Sequence, residues 1–212
     1  MIDLLSVTFA ATMACIAGPA AVPALSRAGT DSSYQRIFES GIPFATFLER
    51  AERRKEQWAT NYRIGAVPDA LLTRARAVMG TWKVLVVAVD GCSDSVNTVP
   101  YIVRLFEALP GVELRVVDSE VGKSIMESHR TPDGRAATPT VLLLDASFQE
   151  RGCFIERPGL LRQLMSDQRE KSGESGLFEG KMKWYDDDKG AHTVEEMVAI
   201  LEAAGRGESI CR

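Results

Sequence analysis

Trp82 to Pro100 reads WKVLVVAVDGCSDSVNTVP, and the architecture depends on how that stretch divides. Lys83–Val89 is a continuous, largely β-branched run, the pattern of a strand buried on both faces. From Ser93 to Leu109 the period changes: Val96, Val99, Ile102, Val103, Phe106 and Leu109 form one apolar stripe of a helix. Gly91 and Cys92 stand at the junction. The chain therefore places a cysteine where a strand ends and a helix begins.

Working outward, Val112–Asp118 reads as a strand and Val121–His129 as a helix. Thr138–Asp145 and Gln149–Glu156 read as an antiparallel hairpin, followed by a helix over Gly159–Lys171, a loop over Lys171–Gly176 and a last helix over Thr193–Ala204. Upstream, Ser32–Arg63 breaks at Gly41-Ile42-Pro43, which predicts a short helix and then a longer one. Pro68–Gly80 predicts a further helix with proline at its start and glycine at its end. The order predicts an α/β fold, a mixed sheet of about four strands with helices on both faces. The organisation expected is an N-terminal extension over 1–30, a helical extension over 31–80, a core over 81–171 and a second helical extension over 172–212.

Composition excludes several functions. A net charge of −4 gives no electrostatic reason for nucleic-acid binding, and the densest basic run, Arg50–Lys55, carries Glu52 within it and reads as a solvated helix face. The four cysteines, Cys15, Cys92, Cys153 and Cys211, are too few for a disulfide framework, and no two have zinc-ligand spacing. His129 and His192 lie far from them in sequence, and Asp186–Asp188 lacks the glycine and spacing of a calcium loop, so no metal is expected. Leu4–Ala24 is rich in apolar and small residues. It reads either as an export signal or as an extension outside the fold, and its two prolines and weak hydrophobicity argue against a permanent membrane span. The protein is accordingly expected in the cytoplasm, or exported if that run is a signal.

Four features in order resemble the thioredoxin superfamily: the buried strand running into Gly91-Cys92, the tetrad Cys92-Ser93-Asp94-Ser95 in place of Cys-x-x-Cys, Pro100 within the helix, and Thr138-Pro139-Thr140 at the hairpin. A narrower resemblance, to a bacterial branch whose members often keep only the first cysteine, extends over the helical front end and the tail KMKWYDDDKGAHTVEEMVAIL. It implies a thioredoxin-like fold with a cis-proline, whose Thr138 backbone is available to pair with a bound polypeptide. Two positions depart from the family: Gly91 stands where a tryptophan often precedes the cysteine, and Val86 where a buried carboxylate assists proton transfer.

A cysteine at a helix N-terminus lies near unpaired N–H groups and the positive end of the helix dipole, which together favour a thiolate. Ser95, one turn on, is expected to donate its hydroxyl to the same sulfur. Asp94 opposes the thiolate if its carboxylate lies close, and Asp90 reads as a loop carboxylate or helix cap. Ser93, Asp94 and Ser95 are also ordinary first-turn residues. Serine cannot resolve a mixed disulfide, and Cys153 reads as a core cysteine too far along its strand to reach Cys92. The function expected is a monothiol thioredoxin-like protein forming mixed disulfides with protein or low-molecular-weight thiols, a thiol-disulfide oxidoreductase if it turns over. Cys92 is then the nucleophile, with Ser95 beside it, and Thr138 and Pro139 position the substrate without a cofactor. The alternative is a redox-inactive binding module that holds a partner in the cis-proline groove.

Overall fold

A computed structural model describes residues 31–212; the signal-like run Leu4–Ala24 and Cys15 lie outside them. Four helices come first: α1 (Asp31–Ser40), α2 (Phe44–Arg50), α3 (Lys55–Ile64) and α4 (Asp69–Arg76). Then follow β1 (Trp82–Val87), α5 (Ser93–Glu107), β2 (Val112–Val117), α6 (Lys123–Ser128), β3 (Thr140–Asp145), β4 (Glu150–Ile155) and α7 (Gly159–Ser172). The chain ends with α8 (Leu177–Asp188), α9 (Ala191–Gly205) and β5 (Ile210–Cys211).

The sheet order is β2-β1-β3-β4-β5. β1 is parallel to β2 and antiparallel to β3, and the β3–β4 hairpin is antiparallel. The fifth strand is a correction to the expected four: Ile210 and Cys211 run parallel to Gly152 and Cys153. A side chain at Gly152 would sit 2.7 Å from the Ile210 carbonyl oxygen, so glycine lets β5 approach.

Alternation along the central strands fills two cores. Val84, Val86, Val141 and Leu143 face one side with α5 and α9, while Leu85, Val87, Leu142 and Leu144 face the other with Phe38 and Ile125. All eight strand residues are fully buried, as the continuous apolar runs require.

The expected longer helix in Ser32–Arg63 is divided. It breaks after Arg50, and Arg54 takes a left-handed φ of 52° before α3 begins. That break brings Trp58 and Asn61 against α5. Pro100 lies inside α5 and has no N–H to give the Val96 carbonyl one turn earlier. Asn61 Nδ2 supplies the missing donor, 2.8 Å from that oxygen. The front helices thus complete the helix that carries Cys92.

Candidate active site

Cys92 is the N-cap of α5, in extended backbone (φ −75°, ψ 125°), with its sulfur accepting from the Ser95 N–H at 3.4 Å. The thiol in turn donates to the Thr138 carbonyl oxygen at 3.2 Å. The Thr138–Pro139 peptide is cis. The structure therefore gathers Cys92, Ser95, Thr138 and Pro139 from two segments, with Cys92 half-buried. Two expected details differ. The Ser95 backbone reaches the sulfur, while its hydroxyl is buried with no partner among the described residues. The Thr138 carbonyl, expected to be open to a bound chain, is engaged by the thiol itself.

The turn before Cys92 is held from α3 and the residues leading into it. Asp90 Oδ2 accepts the N–H groups of Glu52 at 3.0 Å and Arg53 at 2.9 Å. The Arg53 N–H above all, with those of Glu52 and Gly91, holds the Asp90 carboxyl below its ordinary range against partial burial. Trp58 Nε1 donates to the Asp90 carbonyl, and Arg54 Nε to that of Gly91. A side chain at Gly91 would meet Arg53 Cδ at 2.8 Å, so the glycine lets the Arg53 side chain lie across the turn.

Asp94 is buried, and its charge is matched by cations from distant segments. Lys181 Nζ of α8 lies 2.9 Å from Oδ2 and 2.8 Å from the Ser93 hydroxyl. Arg157 Nη2 lies 3.3 Å from the same Oδ2, and the Tyr185 hydroxyl donates to Oδ1 at 2.8 Å. Burial first, and the Asp94 charge next, push the Tyr185 hydroxyl well above its ordinary range, so it stays a donor. Arg157 also pairs with Glu156 at 2.5 Å, and Glu156 with Arg135 at 3.0 Å. Glu156 has a φ of 66°, uncommon for a residue with a side chain, and its N–H donates to the Pro139 carbonyl at 2.7 Å. Local sequence pattern does not mark Lys181, Tyr185 and Glu156 as part of this site, since Asp94 and Arg135 lie far from them along the chain.

Cys153 is not a lone core cysteine. It is disulfide-bonded to Cys211, 58 residues on, which leaves Cys92 as the free thiol among the described residues. The bond also rules Cys153 out as a thiolate ligand beside His129 and Glu150, the nearby donors.

Among the described residues no helix is long and apolar enough to cross a membrane. The chain resembles the crystal structure of a Pseudomonas aeruginosa protein of unknown function, with 23% identity and a TM-score of 0.64 over 81% of this chain and 98% of that one. It resembles an HIV epitope scaffold at 20% identity and the same TM-score of 0.64, over 80% and 98% of the two chains. Both likenesses concern the fold. No curated protein matches the sequence. The family model described as thioredoxin matches residues 41–171, a span from the residues before α2 through the cysteine, the cis-proline and most of α7. More than half of the chain is thereby accounted for, and the protein belongs to the thioredoxin family.

Proposed function

We propose that the protein forms mixed disulfides through Cys92 and depends on a second, external thiol for release. The observation that carries this reading is the pairing at the start of α5: a free cysteine as N-cap, and Ser95 where a resolving cysteine would stand. The Cys92 thiolate attacks one sulfur of a substrate disulfide. A Cys92–substrate disulfide forms as the substrate bond breaks, and the other sulfur leaves as thiolate, taking a proton from solvent. Protein disulfides and disulfides of low-molecular-weight thiols are both substrates in this reading, and Pro139 lines the approach. An incoming thiolate then attacks the substrate sulfur and returns Cys92 as thiolate. Ser95 takes no part in that second step, because a hydroxyl does not displace a thiolate here.

The test is to mix the protein with oxidised glutathione and weigh the product. One adduct, absent in Cys92→Ser and released only when a thiol is added, is the expected result. No adduct overturns the proposal and leaves a binding module in the same groove. The Cys153–Cys211 bond supports the exported reading over the cytoplasmic one, since stable disulfides are rare in the cytosol. Acid-quenched alkylation of whole cells checks this: the pair should be protected in the expressing organism, and free thiols at both positions would place the protein in a reducing compartment.

A further inference from the structure

Beside the thiol site, the 131–135 turn, the end of β4 and α7 enclose a cavity of about 420 Å³. Four arginines line it, Arg135, Arg157, Arg162 and Arg169, against two carboxylates, Asp133 and Glu156. Arg169 also pairs with Glu174, outside the lining. The Arg162 guanidinium donates to the carbonyls of Ile155 and Arg157 and lies within electrostatic reach of the Glu196 carboxylate. The lining itself carries four guanidinium groups against two carboxylates, with Glu174 and Glu196 acting on it from outside.

Arg157 is the decisive group. It is only 8% exposed, and a guanidinium so placed needs acceptors around its whole fork. Among the described residues, Nη2 has Asp94 and Glu156, Nη1 has only the Met165 thioether sulfur, and Nε has none. Thioether sulfur is a weak acceptor on a flexible side chain. Arg162 Nε is likewise buried without an acceptor. Two buried guanidinium N–H groups, on Arg157 Nε and Arg162 Nε, thus have no acceptor among the described residues.

We propose that this cavity binds the oxyanionic group, carboxylate or phosphate, of a small ligand. Planar guanidinium forks match both groups through paired N–H donors. Met165, which lines the cavity, would swing aside and yield Nη1 of Arg157 to an oxygen. The site adjoins the thiol centre through the Arg157–Asp94 pair and the Glu156–Pro139 hydrogen bond. Its occupation does not depend on Cys92 chemistry.

The experiment is calorimetric titration of the full chain with inorganic phosphate and, separately, with succinate, chloride holding the ionic strength constant. Neither probe carries sulfur, so the result is independent of the thiol reading. Saturable one-site binding of at least one probe is expected, weakened about tenfold or more by Arg162→Gln. Ser166→Glu, at an exposed lining position on α7, should weaken it similarly by placing a carboxylate at the mouth. If Arg162→Gln fails to fold by circular dichroism, Ser166→Glu alone decides. Binding of phosphate only, or succinate only, assigns the group. No saturable heat from either, or binding that a folded variant leaves unchanged, overturns the proposal.

Discussion

Lys181 Nζ lies 2.9 Å from the Asp94 carboxylate, joining α8 to the first turn of the helix that carries Cys92. Both side chains are nearly buried, so neither charge has water as a substitute partner. Removing Lys181 takes the nearer cation from Asp94 and leaves it Arg157 and the Tyr185 hydroxyl. Lys181→Met should therefore cost about 3 kcal/mol in urea denaturation, the low end for a broken buried pair. The same substitution should cost less in an Asp94→Asn background, where the lysine has no carboxylate to lose. An equal cost in both backgrounds would deny the coupling.

Ser95→Cys restores the pattern that the tetrad lacks. The Ser95 hydroxyl is buried without a partner, so exchanging it for a thiol removes an unsatisfied polar group. The expected result is a variant that folds, closes a disulfide with Cys92, and releases a bound glutathione adduct without added thiol. Ser95→Ala, by the same argument, should be neutral or stabilising by about 1 kcal/mol. A loss of stability on Ser95→Ala would mean that the hydroxyl has an acceptor.

Asp90 predicts a pH dependence. Its folded-state carboxyl lies below the ordinary value of 3.8, chiefly through the Arg53 N–H. A group shifted downward on folding contributes stability in full above its unfolded value and loses it as pH falls through the folded one. Asp90→Ala should therefore cost about 1–2 kcal/mol near neutral pH. The gap to the parent should narrow in acid, below the ordinary carboxylate value. Thermal unfolding of both proteins between pH 7 and pH 2 measures it; a constant gap would show that the carboxylate charge is irrelevant.

The Cys153–Cys211 bond closes a loop of 58 residues. On the chain-entropy account that constraint is worth about 4 kcal/mol, an upper figure for a bond joining strands already paired. Cys211→Ser should lower the urea midpoint accordingly, with the Cys92 reaction unchanged. An equal midpoint with and without reductant would show that the bond contributes nothing.

What could be read in advance was local. β1, α5 and the hairpin follow from apolar runs a few residues long, and the Cys92 and Pro139 positions from motifs within them. Contacts made across the chain could not be read in this way. Asp94 carries no mark that its partner stands 87 residues later in Lys181, because a lysine on a tail helix looks the same whether it faces solvent or a buried acid. Asn61 opposite the Val96 carbonyl was equally silent: Pro100 announced a missing donor but not its replacement. The split between α2 and α3 turns on Arg54 adopting φ 52°, a conformation that its sequence context does not advertise. Four cysteines gave no pairing, since two distant positions become neighbours only when β5 is laid beside β4.

That last strand has a consequence for how copies of the protein meet. An uncovered outer strand offers a row of free N–H and C=O groups to any other extended chain, a template for aggregation. Ile155 N–H donates to the Arg212 carbonyl, and the Arg212 N–H to that of Cys153, so the chain's last residues occupy β4 themselves. Reduction of the Cys153–Cys211 bond would release that cover along with the constraint. Reduced protein should then scatter light on gentle warming at concentrations where the oxidised protein stays clear.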